Sequence, residues 1–176
     1  MSEFICKIAD FDELIRKCDY EINRHPNNNL WVVSKENAIT GFNENSKIMY
    51  IGILDNEIVC EATAVIKIEG MSKEVLNSEN LFDENTAYLC AFRTNKNVEG
   101  KGYFSKLYKF MENDLKSKGF KRLTLGVEPC EVRNIQIYFH LGFTTYVKTT
   151  IEELPAKDEH SLPKQEIINY YSKTID

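Results

Sequence analysis

Phe92-Arg93-Thr94-Asn95-Lys96-Asn97-Val98-Glu99-Gly100-Lys101-Gly102-Tyr103-Phe104-Ser105 joins an apolar run to an amphipathic one, and the reading of the chain turns on it. Upstream, Tyr88-Leu89-Cys90-Ala91-Phe92 reads as a buried strand. Downstream, Phe104, Leu107, Tyr108, Met111 and Leu115 form a stripe at helical spacing that ends at Gly119. Two glycines at alternate positions let several backbone N–H groups converge on one point, where a Cβ would hold an anion away. The helix N-terminus adds about half a positive charge. Together these make an anion site, most naturally for phosphate. A tight strand-to-helix turn could need the same two glycines for its backbone alone, and G-x-G does not decide between the two. No G-K-[ST] follows, so this is not a Walker loop, and the third glycine of a dinucleotide fingerprint is missing.

Working outward, Leu123-Thr124-Leu125-Gly126-Val127 is a second strand, broken by Glu128-Pro129-Cys130. Ile135, Ile137, Tyr138 and Leu141 fit a short helix closing at Gly142, and Phe143 to Leu154 resumes strand character. Pro155 and Pro163 bracket a charged connection, and Glu166 to Ile175 reads as a last strand. Towards the N-terminus, Ile48–Leu54 and Glu57–Ile68 flank Asp55-Asn56, a hairpin signal. Met71 to Phe82 reads as a helix crossing the sheet. Asp10 with Glu13 marks a helix start, followed by Phe11, Leu14, Ile15, Cys18 and Ile22 on one face and ending near His25-Pro26. Asn27–Asn29 reads as loop, and Ser34–Thr40 as a short helix capped by Ser34 and stopped at Gly41. From residue 86 on, the order strand–helix–strand–helix–strand–strand is an α/β arrangement, and no repeat or linker divides the chain.

Composition narrows the class. With 43% hydrophobic and 28% charged residues, 176 residues suffice for one ordinary soluble domain that needs no disulfide or structural metal. Net charge is −5 and the basic residues form no stripe, which argues against nucleic acid as a partner and mildly favours cationic amines. The cysteines (Cys6, Cys18, Cys60, Cys90, Cys130) are odd in number and form no C-x-x-C, so neither a zinc knuckle nor a dithiol is expected. The three histidines are far apart and suggest no metal site. Free thiols point to a reducing compartment, and no apolar run is long enough for a membrane span or a signal core. A cytoplasmic location is the expectation.

A second motif, Gly126-Val127-Glu128-Pro129 with Ile137-Tyr138-Phe139-His140-Leu141-Gly142-Phe143, completes the picture. The pair resembles the GCN5-related N-acetyltransferase (GNAT) family. The family's Arg/Gln-x-x-Gly-x-Gly/Ala motif aligns with Glu99-Gly100-Lys101-Gly102-Tyr103-Phe104, and its Tyr followed four residues later by Gly-Phe aligns with Tyr138 to Phe143. The resemblance is specific from about Tyr88 to Tyr146. It implies an α/β (α+β) fold with a mixed, mostly antiparallel sheet flanked by helices. Residues 1–176 would form a single domain with an acetyl-CoA-binding core at about 86–146. The implied activity is transfer of an acetyl group from acetyl-CoA, as cosubstrate and without metal, to a primary amine of a small molecule or peptide in a ternary complex.

By the same resemblance, Phe92, Arg93 and Thr94 would pair with pantetheine through their backbone, and a backbone N–H there would polarise the thioester carbonyl. Gly100, Lys101, Gly102, Tyr103, Phe104 and Ser105 would hold the pyrophosphate, with Phe104 turned towards the core. Tyr138 would protonate the leaving thiolate, a role that suits a phenol still protonated at neutral pH. As a core residue it would instead place its hydroxyl at the edge of an apolar face. Glu128 is the candidate base, directly or through water, and equally a carboxylate near a helix start. Glu57 and Glu61 are candidates for the acceptor cleft or a strand's solvated face. Cys130, near a helix start, has no His beside it in sequence and reads as a plain thiol. The chain departs from the family at Glu99, where Arg or Gln is usual, at Phe104 for Gly or Ala, at Glu131 for a cofactor-binding Asn, and at Gly126 for a strand Glu. These departures motivate a second reading, a non-catalytic acyl-CoA-binding sensor or docking module. A nucleotide-phosphate binder unrelated to CoA is a third. A homodimer formed by pairing of the C-terminal strand is compatible with the sequence.

Overall fold

The backbone follows from local chemistry before any tertiary contact is considered. The computed structural model describes residues 3–71, 80–154 and 162–175. The capping box forms as expected: Glu13 N donates to Asp10 Oδ1 and Asp10 N to Glu13 Oε2, each at 2.9 Å, opening α1 (Phe11–Arg24). The β2 (Lys47–Leu54) to β3 (Glu57–Val65) hairpin turns on Asp55 and Asn56, at φ 51° and 66°. Two consecutive left-handed residues match the right-handed twist of the strands, and Asp and Asn tolerate that region.

Seven strands form one sheet in the order β1-β2-β3-β4-β5-β7-β6. They include β1 (Phe4–Ile8), β4 (Thr86–Thr94), β5 (Arg122–Val127), β6 (Thr145–Leu154) and β7 (Lys164–Thr174). Every pairing is antiparallel except β4 with β5. Helix α3 (Tyr103–Ser117) covers one face, where Leu107, Met111 and Leu115 are fully buried against Tyr50, Ala62 and Leu89. α1 and α2 (Leu30–Asn43) cover the other, on Met49 and Ile51. The alternation Met49, Tyr50, Ile51 along β2 thus feeds two helical layers from one strand. Tyr50, though buried, keeps its hydroxyl satisfied by donating to Asp114 Oδ2 at 2.6 Å. A fourth helix, α4 (Val132–His140), follows β5.

Four expectations need correction or completion. α2 starts at Leu30, not Ser34, because Asn28 Oδ1 accepts the Leu30 N–H at 3.1 Å and Leu30, Ala38 and Phe42 turn inward. Gly41 is inside α2 rather than its stop: a Cβ there would stand 2.5 Å from Lys47 Cδ, so the glycine makes room for that side chain. β1 was not legible as a strand, being five residues interrupted by Lys7 and held at the sheet edge by β2. β7 lies between β5 and β6, pairing with β5 over residues 169–174 and with β6 over residues 164–172, so its first five residues have a strand partner on one edge among the described residues. The expected helix at Met71–Phe82 and the Pro155–Pro163 connection fall largely outside the described residues.

Two details of β4 position the site. Pairing with β3 steps from Glu61↔Arg93 to Thr63↔Cys90, so β4 carries one extra residue, and Ala91 sits at φ 54°. Pairing with β5 ends at Leu89↔Leu125. Beyond it the two parallel strands part, leaving the β5-facing backbone edge of residues 90–94 unpaired.

Candidate active site

The parting of β4 from β5 opens onto a cleft of about 570 Å³ between the end of β4, the start of α3 and one side of α4. Its floor at the α3 end is the glycine turn. Gly100 and Gly102 have φ of 75° and 78°, and a Cβ built on either would meet nothing within 4 Å. That space is open for a ligand, and the left-handed backbone disfavours any other residue there. Gly102 caps α3 without a side chain, and the first helical bond runs from Lys106 N to Gly102 O. The N–H groups of Tyr103, Phe104 and Ser105 therefore have no partner along the helix and point out of its positive end. This is an anion cradle made of backbone.

Aromatic rings line the middle of the cleft. Phe92 packs on Phe104 with centroids 5.2 Å apart and meets Tyr138 edge-on at 5.8 Å. Phe104 is partly buried against the core, as expected, but also borders the cleft. The Tyr138 hydroxyl has no hydrogen bond among the described residues, and burial, with help from Glu131, pushes its pKa up to about 12. It is a neutral phenol with a proton to give. Thr94 and Ser105 line the cleft, whereas Lys101 is exposed and does not. Glu99 reaches across to Arg133 Nη2 at 3.2 Å, so the carboxylate in the family's Arg or Gln position is paired with an arginine from α4. Arg133 was not singled out from sequence, because it lies in a different element from the glycine turn.

Arg93 points the other way. Its guanidinium donates to Glu61 Oε1 at 2.7 Å and stacks over Trp31 at 4.6 Å, on the α1/α2 face. There a second cavity, of about 270 Å³, lies between α1, α2, β3 and the β4 bulge. Lys17, nearly fully buried, bridges Glu21 of its own helix and Glu61 at 3.6 Å. Glu61 is thus a cavity residue, whereas Glu57 lies beside a smaller hollow with Arg16 and Tyr20. Sequence reading missed Lys17 and Glu21, although Leu14, Lys17 and Glu21 share one face at i, i+3 and i+7. Burial pushes the Cys18 thiol up to about 11 and raises that of Cys90, so both cavity thiols stay neutral.

Glu128 sits just beyond β5, half-buried, accepting from Cys130 Sγ at 3.6 Å, and lines neither cleft nor cavity. At Gly126, a Cβ would stand 2.8 Å from Ile168 and 2.9 Å from Tyr170. The place of a strand carboxylate is therefore filled by β7, whose Tyr170 hydroxyl bonds Glu152. Among the described residues no group of three His, Cys, Asp or Glu could hold a metal, and no helix is long and apolar enough to cross a membrane.

The model of the acetyltransferase (GNAT) family matches residues 4–143. No curated protein matches the sequence. Among solved structures, an N-acetyltransferase from Staphylococcus aureus Mu50 superposes with TM-score 0.66 at 14% identity, covering 99% of this chain and 100% of its own. The ribosomal-protein-S18-alanine N-acetyltransferase of Escherichia coli gives 0.64 at 12% identity over 99% and 95%. A GNAT family acetyltransferase from Elizabethkingia anophelis, solved with acetyl-CoA bound, gives 0.53 at 14% identity over 75% and 78%. At these identities the likeness is one of fold.

Proposed function

The chain belongs to the GNAT acetyltransferase family, and on that premise we propose that it moves the acetyl group of acetyl-CoA directly to a primary amine, without a covalent enzyme intermediate. The observation that carries the reading is the parting of β4 from β5 beside a glycine-capped helix N-terminus, with an unpartnered tyrosine hydroxyl in the same cleft. Acetyl-CoA supplies an activated thioester, and a neighbouring fold of this family has been solved with acetyl-CoA bound. The amides of residues 103–105 and the open space at Gly100 and Gly102 suit a pyrophosphate. The free backbone edge at Phe92, Arg93 and Thr94 suits an amide-bearing arm laid alongside as a further strand. An N–H on that edge would stabilise charge developing on the thioester oxygen.

As the N–C bond forms and the C–S bond breaks, Tyr138 gives its proton to sulfur. Glu128 takes the proton that nitrogen loses, through water, since it lines neither opening. The phenol then regains a proton from solvent. The free state of all five thiols supports a cytoplasmic setting.

Calorimetric titration with acetyl-CoA, CoA, dephospho-CoA and ATP tests the cofactor, and thiol release with an amine tests turnover. Binding that needs the pantetheine, followed by amine-dependent release, is the expected result; ATP binding as well as acetyl-CoA would sink the reading. A second reading, an acyl-CoA-binding module without turnover, is favoured by the packed Gly126 and the Glu99–Arg133 pair. Tight acetyl-CoA binding with no release across an amine panel would select it.

A further inference from the structure

The cavity on the α1/α2 face carries a charge balance opposite to that of the chain. Its walls hold Lys17, Lys47 and Arg93 against Glu21 and Glu61, one cation in excess, although the protein as a whole is at −5. Four of the five form a closed chain, Glu21–Lys17–Glu61–Arg93, that is neutral in itself. Such a chain satisfies its own buried charges and gives no reason for a further ammonium. Lys47 is that further ammonium. Among the described residues it makes no ion pair and no side-chain hydrogen bond, and its stem lies in the space that Gly41 leaves free. The guanidinium of Arg93 also keeps donors in hand, since one hydrogen bond to Glu61 accounts for one of its five. The rest of the wall is apolar at Leu14, Trp31 and Met49 and polar at Ser34, Asn37 and Thr63.

We propose, on the footing of the acetyl-transfer reading above, that this cavity takes the acceptor, and that the acceptor is a small amino acid-like molecule with a carboxylate beside its amine and an apolar body. The carboxylate meets the unpaired ammonium of Lys47 in a charge-assisted pairing. The apolar body lies against the aliphatic and aromatic wall. The cavity borders Cys90 and Ala91, at the bulge where β4 turns its unpaired edge towards β5, so an amine at that end reaches the gap from the face opposite Phe92 and Tyr138. At about 270 Å³ it falls below the roughly 300–1,000 Å³ typical of drug-sized ligands, which suits one amino acid and not a multi-ring amine. A polyamine would bring positive charge to a wall already in cationic excess. The mild preference for cationic amines suggested by the acidic composition is therefore reversed locally.

The test is equilibrium binding by NMR or calorimetry, with leucine, leucinamide and spermidine as probes, on the wild-type chain and on Lys47→Met. The methionine keeps the stem over Gly41 and removes the ammonium. Leucine is expected to bind at least tenfold more tightly than leucinamide, spermidine not at all, and Lys47→Met to abolish the leucine preference while thermal stability and acetyl-CoA affinity hold. Leucinamide or spermidine binding as well as leucine, no binding of any probe, or an unchanged leucine preference in Lys47→Met would each overturn the inference. A parallel acetyl-CoA titration separates the two levels: failure there strikes the acetyl-transfer reading, whereas failure of the leucine series alone strikes only the acceptor.

Discussion

The cleft at Gly102 and the cavity at Trp31 lie on opposite faces of β4, yet they are built by opposite means. The cleft is backbone: amides of a helix start, an unpaired strand edge and two glycines with open space above them. The cavity is side chains: a chain of four ions, buried except at Arg93, one surplus lysine and a largely apolar wall. Backbone donors suit a ligand part common to every turnover, because they depend on fold and not on residue identity. Side-chain ions suit the part that distinguishes one acceptor from another, because single substitutions change them. If that division of labour is right, a change in either region should leave the other region's ligand affinity intact.

The largest effect should come from the Tyr138 hydroxyl of the cleft. Tyr138→Phe is expected to lower kcat about 1,000-fold, within the range of a general acid, with acetyl-CoA affinity unchanged. Because burial holds the phenol near 12, the wild-type rate should show no loss from this group between pH 7 and 10. A fall in that interval that disappears in Tyr138→Phe would place the titrating group at Tyr138 and contradict the burial argument. A variant with unaltered kcat would instead make Tyr138 a packing residue against Phe92.

Next comes the buried ion chain. Glu61→Gln leaves Lys17 and Arg93 without their shared carboxylate, at a cost of about 3 kcal/mol. For a domain of this size that corresponds to a fall in Tm of about 9 °C, read by calorimetry. Acetyl-CoA should still bind the folded variant as before. Loss of cofactor affinity at a temperature where the variant remains folded would couple the two regions and break the division. Gly102→Val is the converse. A β-branched residue at φ 78° costs about 2 kcal/mol, and a turn that relaxes to avoid it loses its aligned amides. Acetyl-CoA affinity is expected to drop about 30-fold, with leucine binding in the cavity unaltered.

The same division explains what could be read without a structure. The cleft's glycine turn and the Tyr138–Phe143 helix end are each contiguous, so spacing alone exposes them, and the capping box and the Asp55-Asn56 turn are legible for the same reason. The cavity draws Lys17 and Glu21 from α1, Trp31 from α2, Lys47 from β2, Glu61 from β3 and Arg93 from β4, and no local pattern joins residues spread over five elements. Arg93 illustrates the limit: the family resemblance speaks only for its backbone on the strand edge, and no local pattern shows that the alternation and the bulge at Ala91 turn its side chain to the α1/α2 face. β1 escaped because five residues carry too little alternation to register, and α2's start because Asn28, inside an apparent loop tract, accepts the Leu30 N–H and opens the helix a turn before Ser34.

The smallest expected effect concerns the residue that sets this chain apart from the family's usual pattern. Glu99 stands beside the anion cradle, yet it is paired with Arg133 at 3.2 Å, and both side chains are substantially exposed, at 37% and 74%. Solvent screens such a pair, so neither the repulsion between Glu99 and a bound phosphate nor the Arg133 bridge is worth much. Glu99→Gln removes the repulsion and releases Arg133, and both act in the same direction. Acetyl-CoA affinity should therefore rise, by about threefold at low ionic strength and less at 0.5 M salt, where screening is nearly complete at this distance. Arg133→Gln should do the reverse, by leaving Glu99 unpaired beside the phosphates. A calorimetric series in salt separates the alternatives. Unchanged affinity in Glu99→Gln together with a loss in Arg133→Gln would mean that Arg133 already turns to the phosphates in the complex and leaves Glu99 to water, and the cleft would then owe part of its anion affinity to a side chain after all.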